Sequence, residues 1–360
     1  MKYDLQFKEH LEDLYLNKAN SNASNVFLEF ELTGKCRNKC FFCGNFSQSH
    51  GPELNFKQLK KFIKKFSTYY LRKGKRPILS FCGGDPALYS YFDELLLFLD
   101  RSKLPFVIKG NPSTIDEDHV YLLQNHGCMA VKFTYLGDKK LHNETRGNET
   151  VADLIEKTKM FQSMEMPVLW NLSVGKFNMN SIVESLPFIH EARPDAIMIG
   201  RLANIGKIKD TKEENQNNEM TAPEFKKFLM TLLNYYYKNY ENGFHLSFKE
   251  KLWVPLLAEM GLLDIEKLDI PPEHLGCDAY CRSFNVNSSG DISLCGLLST
   301  DQPAALSEFD IEKVLKLRTL SMKNNSYCHD CKYGPYCQGC RAIALANTGD
   351  VYAKDPHCWL

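Results

Sequence analysis

The sequence predicts an α/β fold built on a mostly parallel sheet, followed by a small module organised by cysteines. Three observations carry that expectation. Short apolar runs of strand length alternate with longer amphipathic segments over the first two thirds of the 360 residues. The alternation breaks near residue 250, and cysteines and turn residues dominate from Gly276 onward. Of the 13 cysteines, three lie in 36–43 and eight in 277–358, so only Cys82 and Cys128 stand alone.

Residues 1–25 read as an extension ahead of the first strand. Strands are expected over 26–32, 78–82, 106–109, 129–134, 168–174, 196–200 and 245–248, each an apolar or β-branched run. Helices are expected between them, over 54–70, 89–101, 116–126, 150–164, 179–191 and 221–240. In the second of these, Phe92, Leu95, Leu96 and Leu99 recur at helical spacing. Alternating strands and helices imply parallel strands joined by right-handed crossovers. About six such units make either an open doubly wound sheet or a partial barrel, and both place a ligand at the carboxyl ends of the strands. Residues 26–250 therefore read as one unit, 251–276 as a linker and 277–360 as the small module. The polar stretch Lys207–Glu219 reads as a solvated loop, with a lid over the site as the alternative. Tyr235, Tyr236, Tyr237 and Tyr240 follow Leu229, Leu232 and Leu233 on a helix pattern and read as packing.

The 44 Lys+Arg residues balance the 44 Asp+Glu, which argues against broad electrostatic binding to nucleic acid or an anionic membrane. No apolar stretch approaches the roughly 18 residues of a membrane helix, and the N-terminal residues lack the apolar core of a signal peptide. A soluble, cytoplasmic protein is expected. There, clustered cysteines more often bind metal or do chemistry than form disulfides.

The first cluster, CRNKCFFC, supplies Cys36, Cys40 and Cys43 just after the first strand. Three thiolates hold three irons of a cubane that normally takes four cysteines. One iron is left for an outside ligand. Structural zinc closes its shell with four protein ligands, and no histidine lies within this loop to complete one.

The pattern Cys36-x3-Cys40-x2-Cys43, with Phe42 before the last cysteine, resembles the signature of radical S-adenosylmethionine (SAM) enzymes. The resemblance implies a partial (β/α)6 TIM-like barrel, followed by a small cysteine-rich iron–sulfur domain. It also implies that SAM binds the open iron and is cleaved by one electron to a 5′-deoxyadenosyl radical that abstracts a substrate hydrogen. A second match follows the second strand. Gly83-Gly84-Asp85-Pro86 resembles the family's Gly-Gly-Glu-Pro segment, which binds the methionine amino group of SAM, with Asp85 in place of the commoner Glu. Paired glycines allow close backbone approach, and Pro86 stiffens the turn. Thr134 and Ser173, at the ends of later strands, are similar in placement to ribose-contacting residues of the family. A buried hydroxyl satisfying local backbone is an equal reading for each.

The C-terminal cysteines resemble the SPASM extension of these enzymes, which carries two auxiliary four-iron clusters. Five residues separate the pairs in CHDCKYGPYCQGC, too few for an ordinary zinc ribbon. The resemblance implies that Cys277, Cys281, Cys295 and Cys340 hold the inner auxiliary cluster, and Cys328, Cys331, Cys337 and Cys358 the outer one. The chain departs from the pattern in placing two residues, not three, between Cys337 and Cys340.

Three functions follow as expectations. The first is oxidative modification, by crosslink or dehydrogenation, of a ribosomally made peptide or protein. The second is dehydrogenation of a small polyol or sugar alcohol. The third is a non-catalytic iron–sulfur electron carrier, against which the SAM-like turn argues. Implied partners are the substrate, an electron donor such as flavodoxin or ferredoxin, and a separate protein presenting a leader peptide. Sulfatase-type maturases carry a base Asp directly after the cysteine of the Gly-x4-Cys element; Gly296 stands there, which disfavours that reaction. Cys82 reads first as a small buried strand residue and second as a hydrogen donor near SAM. His142 and Arg146 are candidates to face the pocket. The lysines at 57, 60, 61, 64 and 65 read as a solvated face, with docking of an acidic partner as the alternative.

Overall fold

The computed structural model describes residues 3–44, 51–205, 219–267, 269–271, 274–298, 304–306 and 326–360. The polar stretch 207–218 and the Cys281 side chain lie outside the described residues. Seven strands run parallel in sequence order: β1 (Asn25–Thr33), β2 (Arg76–Gly83), β3 (Phe106–Lys109), β4 (Cys128–Tyr135), β5 (Val168–Val174), β6 (Ala196–Arg201) and β7 (His245–Ser247). This is the expected α/β architecture, a mostly parallel sheet of partial-barrel type.

Successive side chains alternate across each strand, and that period separates the core from the site. On β4, Phe133 and Tyr135 are buried and meet Phe161 and Phe188 of the covering helices. Lys132 and Thr134 therefore lie on the opposite, inner face. On β1, Phe30 packs edge-on to Phe62, leaving Glu29 and Glu31 on the inner face.

The crossover helices are α2 (Phe56–Arg72), α3 (Phe92–Ser102), α4 (Glu117–Asn125), α6 (Val151–Ser163), and α7 (Met179–Glu184) with α8 (Leu186–Ala192). The single helix expected over 179–191 is broken at Ser185, because Pro187 cannot continue the backbone ladder. A polar helix between β4 and α6, α5 (Lys139–Arg146), carries no apolar stripe and starts on the Asp138 side chain, which accepts from the amides of Lys140 and Leu141. Helix α9 (Ala222–Asn239) begins with a reciprocal Thr221/Glu224 cap.

The N-terminal extension is a helix, α1 (Leu5–Ser24), with Phe7, Leu11, Tyr15 and Ala19 buried at four-residue spacing. Its Phe7 meets Tyr236, Tyr237 and Tyr240, so the tyrosines of α9 are packing residues. The stretch expected as a linker holds a further helix, α10 (Trp253–Glu259), whose Trp253, Val254, Leu256 and Leu257 are buried in the core.

The cysteine-rich region also differs from expectation. After a short turn of helix, α11 (Asp278–Cys281), comes β8 (Ser283–Val286), which pairs parallel with β1, Phe27 opposite Ser283 and Phe30 opposite Val286. Strands β9 (Asp291–Ser293) and β10 (Ala304–Ala305) add antiparallel, giving the order β10-β9-β8-β1-β2-β3-β4-β5-β6-β7. The tail folds as three short helices, α12 (Ser326–His329), α13 (Gly334–Cys337) and α14 (Arg341–Thr348).

Candidate active site

The Cys36–Cys43 loop and the Gly83–Pro86 turn are stitched together by backbone. The Gly84 amide donates to Thr33 O at 2.7 Å and the Asp85 amide to Lys35 O at 2.8 Å. A Cβ on Gly84 would fall 2.1 Å from Lys35 O, and Gly83 has φ +123, a left-handed backbone costly to other residues. Gly84 is thus required by contact with the residue just before Cys36, and Gly83 by its φ and by Thr33 O, 2.5 Å from where its Cβ would stand.

Asp85 is fully buried and serves as an internal acceptor. Its carboxylate takes hydrogen bonds from Asn111 Nδ2 at 3.0 Å, from Thr114 Oγ1, and from the Ala87 amide at 3.3 Å. Burial pushes its pKa up, against these hydrogen bonds, which hold it down. Asn111 also donates to Cys36 Sγ at 3.5 Å and accepts from Arg146 Nη2 at 2.6 Å.

Arg146 carries the chain of contacts to the next thiol. Its Nη1 donates to Cys40 Sγ at 3.5 Å, and its Nε and Nη2 clasp Glu149 at 3.0 and 2.9 Å. Such a forked pair matches guanidinium to carboxylate geometry. Glu149 is fully buried; burial alone would raise its pKa, but the adjacent guanidinium holds it below the ordinary value. Asn38, inside the cysteine loop, donates to the same carboxylate at 3.1 Å. His142 Nε2 lies 3.5 Å from Glu149 Oε1. The sequence singled out His142 and Arg146 but missed Asn38, Asn111, Thr114 and Glu149.

This donor set fits a four-iron cluster. Three thiols come from one loop, and two of the sulfurs receive N–H donors, a feature that tunes iron–sulfur potentials. Burial raises the Cys36 and Cys40 thiols, so uncharged thiols are favoured until iron binds. Among the described residues no three His, Cys, Asp or Glu converge as a single-ion site. A cubane does not ask that of its cysteines, since each binds a separate iron. Phe42 stands edge-on to Phe41, their rings 5.6 Å apart, and Phe41 meets Phe177 at 5.1 Å.

The inner face of the barrel is polar. Thr134 on β4 stands opposite Asn171 on β5, and Asn171 Nδ2 donates to Ser173 Oγ at 2.8 Å. Below them Glu31, Cys82, Lys109 and Lys132 follow one another across neighbouring strands. Lys109 pairs with Glu29, holding that carboxyl down at about 2 against the effect of burial. Glu31 makes no ion pair among the described residues, and Lys109 acts on it only from a distance. Burial lifts it to about 7, although Asn285 Nδ2 donates to it at 3.2 Å. Burial likewise keeps the Cys82 thiol well above its ordinary value.

The C-terminal thiols sort into two neighbourhoods. Burial pushes Cys295 up to about 12, and the nearby Cys277 and Cys340 add to the rise. Burial raises Cys337, with Cys358 adding, and Cys358 in turn feels Cys331. Gly334 lets the chain turn tightly here, because a Cβ would meet Cys328 O at 1.9 Å. A buried guanidinium locks this tail to the barrel. Arg201, at the end of β6, binds Glu250 through Nε and Nη2 at 3.0 and 2.8 Å and Asp355 through Nη1 and Nη2 at 2.8 Å each. Asp355 also accepts from the Cys340 amide at 2.7 Å. The sequence carries no motif for this lock.

Residues 30–188 match the family model of the Radical SAM superfamily. The chain carries a radical SAM domain. The chain is similar to an AdoMet-dependent heme synthase of Methanosarcina barkeri, 23% identical over 94% of this chain and 97% of the relative. An Fe-coproporphyrin III synthase of the same organism is 22% identical over 92% of this chain and 87% of the relative. Among solved structures, Streptococcus suis SuiB bound to precursor peptide SuiA superposes with a TM-score of 0.72 at 20% identity, covering 98% of this chain and 80% of that one. Native anSMEcpe with bound AdoMet and the Cp18Cys peptide superposes with a TM-score of 0.66 at 17% identity, covering 93% and 94%. The match over residues 30–188 and the shared fold agree on a Radical SAM domain in this chain. No helix among the described residues is long and apolar enough to cross a membrane.

Proposed function

We propose that this radical SAM enzyme oxidatively modifies a ribosomally made peptide or protein, through a crosslink or a dehydrogenation. Cys36, Cys40 and Cys43 hold the four-iron cluster, while Phe42, Gly83, Gly84, Asp85, Pro86, Thr134 and Ser173 surround SAM. Bound together, cluster and SAM supply a 5′-deoxyadenosyl radical for hydrogen abstraction. Asp85 acts through the turn it caps, since its carboxylate is already engaged by Asn111 and Thr114. Arg146 and Asn111 place their N–H groups against Cys40 Sγ and Cys36 Sγ.

The observation that carries the oxidative reading is the pairing of β8 with β1. It brings Gly296, beside Cys295, so close to the inner face that a Cβ there would stand 3.3 Å from Glu31 Oε1. Cys277, Cys281, Cys295 and Cys340, and Cys328, Cys331, Cys337 and Cys358, would hold two auxiliary clusters, which would supply an electron acceptor. Glu31, lifted toward neutrality, is placed to take the accompanying proton. The outer face of α2, with Lys57, Lys61, Lys64 and Lys65 exposed, suits an acidic flavodoxin or ferredoxin as electron donor. A separate protein presenting the leader peptide is part of the same reading.

A second reading, conversion of a tetrapyrrole, is favoured by the sequence relatives. They are named heme and Fe-coproporphyrin III synthases and align over nearly the whole chain. The test is anaerobic incubation with SAM, dithionite and either short peptides encoded beside the gene or iron coproporphyrin III, followed by mass spectrometry. A peptide losing two hydrogens supports the first reading. A mass change in the porphyrin alone overturns it in favour of the second.

A further inference from the structure

Among the described residues, Lys132 on the inner face of the barrel is a cation that no carboxylate pairs. Lys109 is paired with Glu29, and each keeps 32% of its side chain exposed, so the lumen between the strands is open to water. Lys132 is Lys109's neighbour across the β3–β4 ladder and points into the same lumen. No hydrogen bond or ion pair engages Lys132 among the described residues. Burial and repulsion by Lys249 and Lys109 push its pKa down to about 7, with Glu29 and Asp278 only partly offsetting them. A half-buried ammonium with no partner is costly to keep, whereas an anion entering the lumen would repay the desolvation.

Lys132 also lies in the right layer. It sits two residues before Thr134, one layer deeper than the ends of the strands where SAM is proposed to bind. Cys82 and Glu31 lie in the same layer on one side, and Leu169 and Ala196 continue it on the other. Glu31 instead accepts from Asn285 Nδ2 at 3.2 Å.

We propose that the floor of the barrel binds a carboxylate of the substrate, with Lys132 as its anchor and Lys109, held by Glu29, as the cation beside it. This rests on the radical SAM reading above and adds the chemical class of the substrate. A carboxylate can arrive as an acidic side chain of a peptide or as a propionate of a tetrapyrrole. The lumen chemistry is the same for both.

The test is equilibrium binding to the anaerobically reconstituted holoenzyme. The probes are a tetraglutamate peptide against its tetraglutamine counterpart, and coproporphyrin III against its tetramethyl ester. At least one acid should bind tenfold or more tightly than its neutral counterpart, and which acid does so tells the source. K132Q should erase that preference, while K132R should keep it at equal iron content. The proposal is overturned if neither acid outbinds its neutral counterpart, or if K132Q retains the preference. Release of 5′-deoxyadenosine by the unaltered enzyme, measured alongside, reports separately on the radical SAM reading. If the nucleoside forms but no acid is preferred, only the carboxylate floor is lost.

Discussion

Replacing Arg201 by Met should destabilise the protein by about 3–5 kcal/mol, the range for breaking one side of a buried ion pair. The guanidinium is 1% exposed, and so is Asp355, with Glu250 at 8%. It also lies over the Phe225 ring, 5.0 Å from its centroid. Methionine fills much of the volume but strands two buried carboxylates, one of which also fixes the Cys340 amide. Urea unfolding followed by circular dichroism reads the loss directly. The penalty should shrink in acid. Arg201 holds Asp355 at about 2 against the effect of burial, so the stability it contributes is present above about pH 4 and is lost as pH falls toward 2. Without Arg201 that carboxyl titrates at higher pH and can protonate instead of remaining buried as a charge. Adding Glu250→Gln and Asp355→Asn should recover more than half of the loss. A single variant within about 1 kcal/mol of the parent, or a triple variant less stable than the single, would refute the reasoning.

Further predictions follow from the same contacts. Gly84→Ala should abolish or cut SAM cleavage more than tenfold, because its Cβ would meet Lys35 O at 2.1 Å; Gly74→Ala, with nothing within 4 Å, should cost only about 1 kcal/mol of strain. Glu31 has its pKa raised to about 7, so the folded chain keeps a proton that the unfolded chain has released. Its penalty is absent below about pH 4.5 and grows to on the order of 3 kcal/mol as pH rises past 7. Melting curves of Glu31→Gln should therefore gain on the parent at pH 8 and match it at pH 4; equal differences at both would dismiss the account. Cys337→Ala should leave 5′-deoxyadenosine formation partly intact while blocking net product, and unchanged product yield would remove the outer auxiliary cluster from the reaction.

Much of the barrel was legible because its signals are local. The strand runs, the leucine spacing of α3, the three-cysteine loop and the Gly-Gly turn each sit within a few residues. What was missed falls into two kinds. Helix α5 has almost no apolar periodicity and exists through its Asp138 cap and the buried Arg146. The stripe of α1 at Phe7, Leu11 and Tyr15, by contrast, is local, but the tyrosines of α9 that it meets lie more than 200 residues away. The other kind is long-range. Strand β8 is four residues long and finds β1 across 254 positions, from Glu31 to Asn285, so no local pattern announces it. Arg201 and Asp355 are 154 residues apart, and Arg146 meets Cys40 across 106. Such pairs are created by the strand ends converging, and lone arginines or carboxylates in a sequence do not reveal them.

The most direct test of the central claim is a dithionite-plus-SAM assay for 5′-deoxyadenosine, run with iron and sulfide analysis on the parent and Cys40→Ala. The account predicts about twelve irons per parent chain, as three four-iron clusters require, nucleoside release by the parent, and none by the variant. Few irons with bound zinc and no release, or undiminished release by Cys40→Ala, would contradict it.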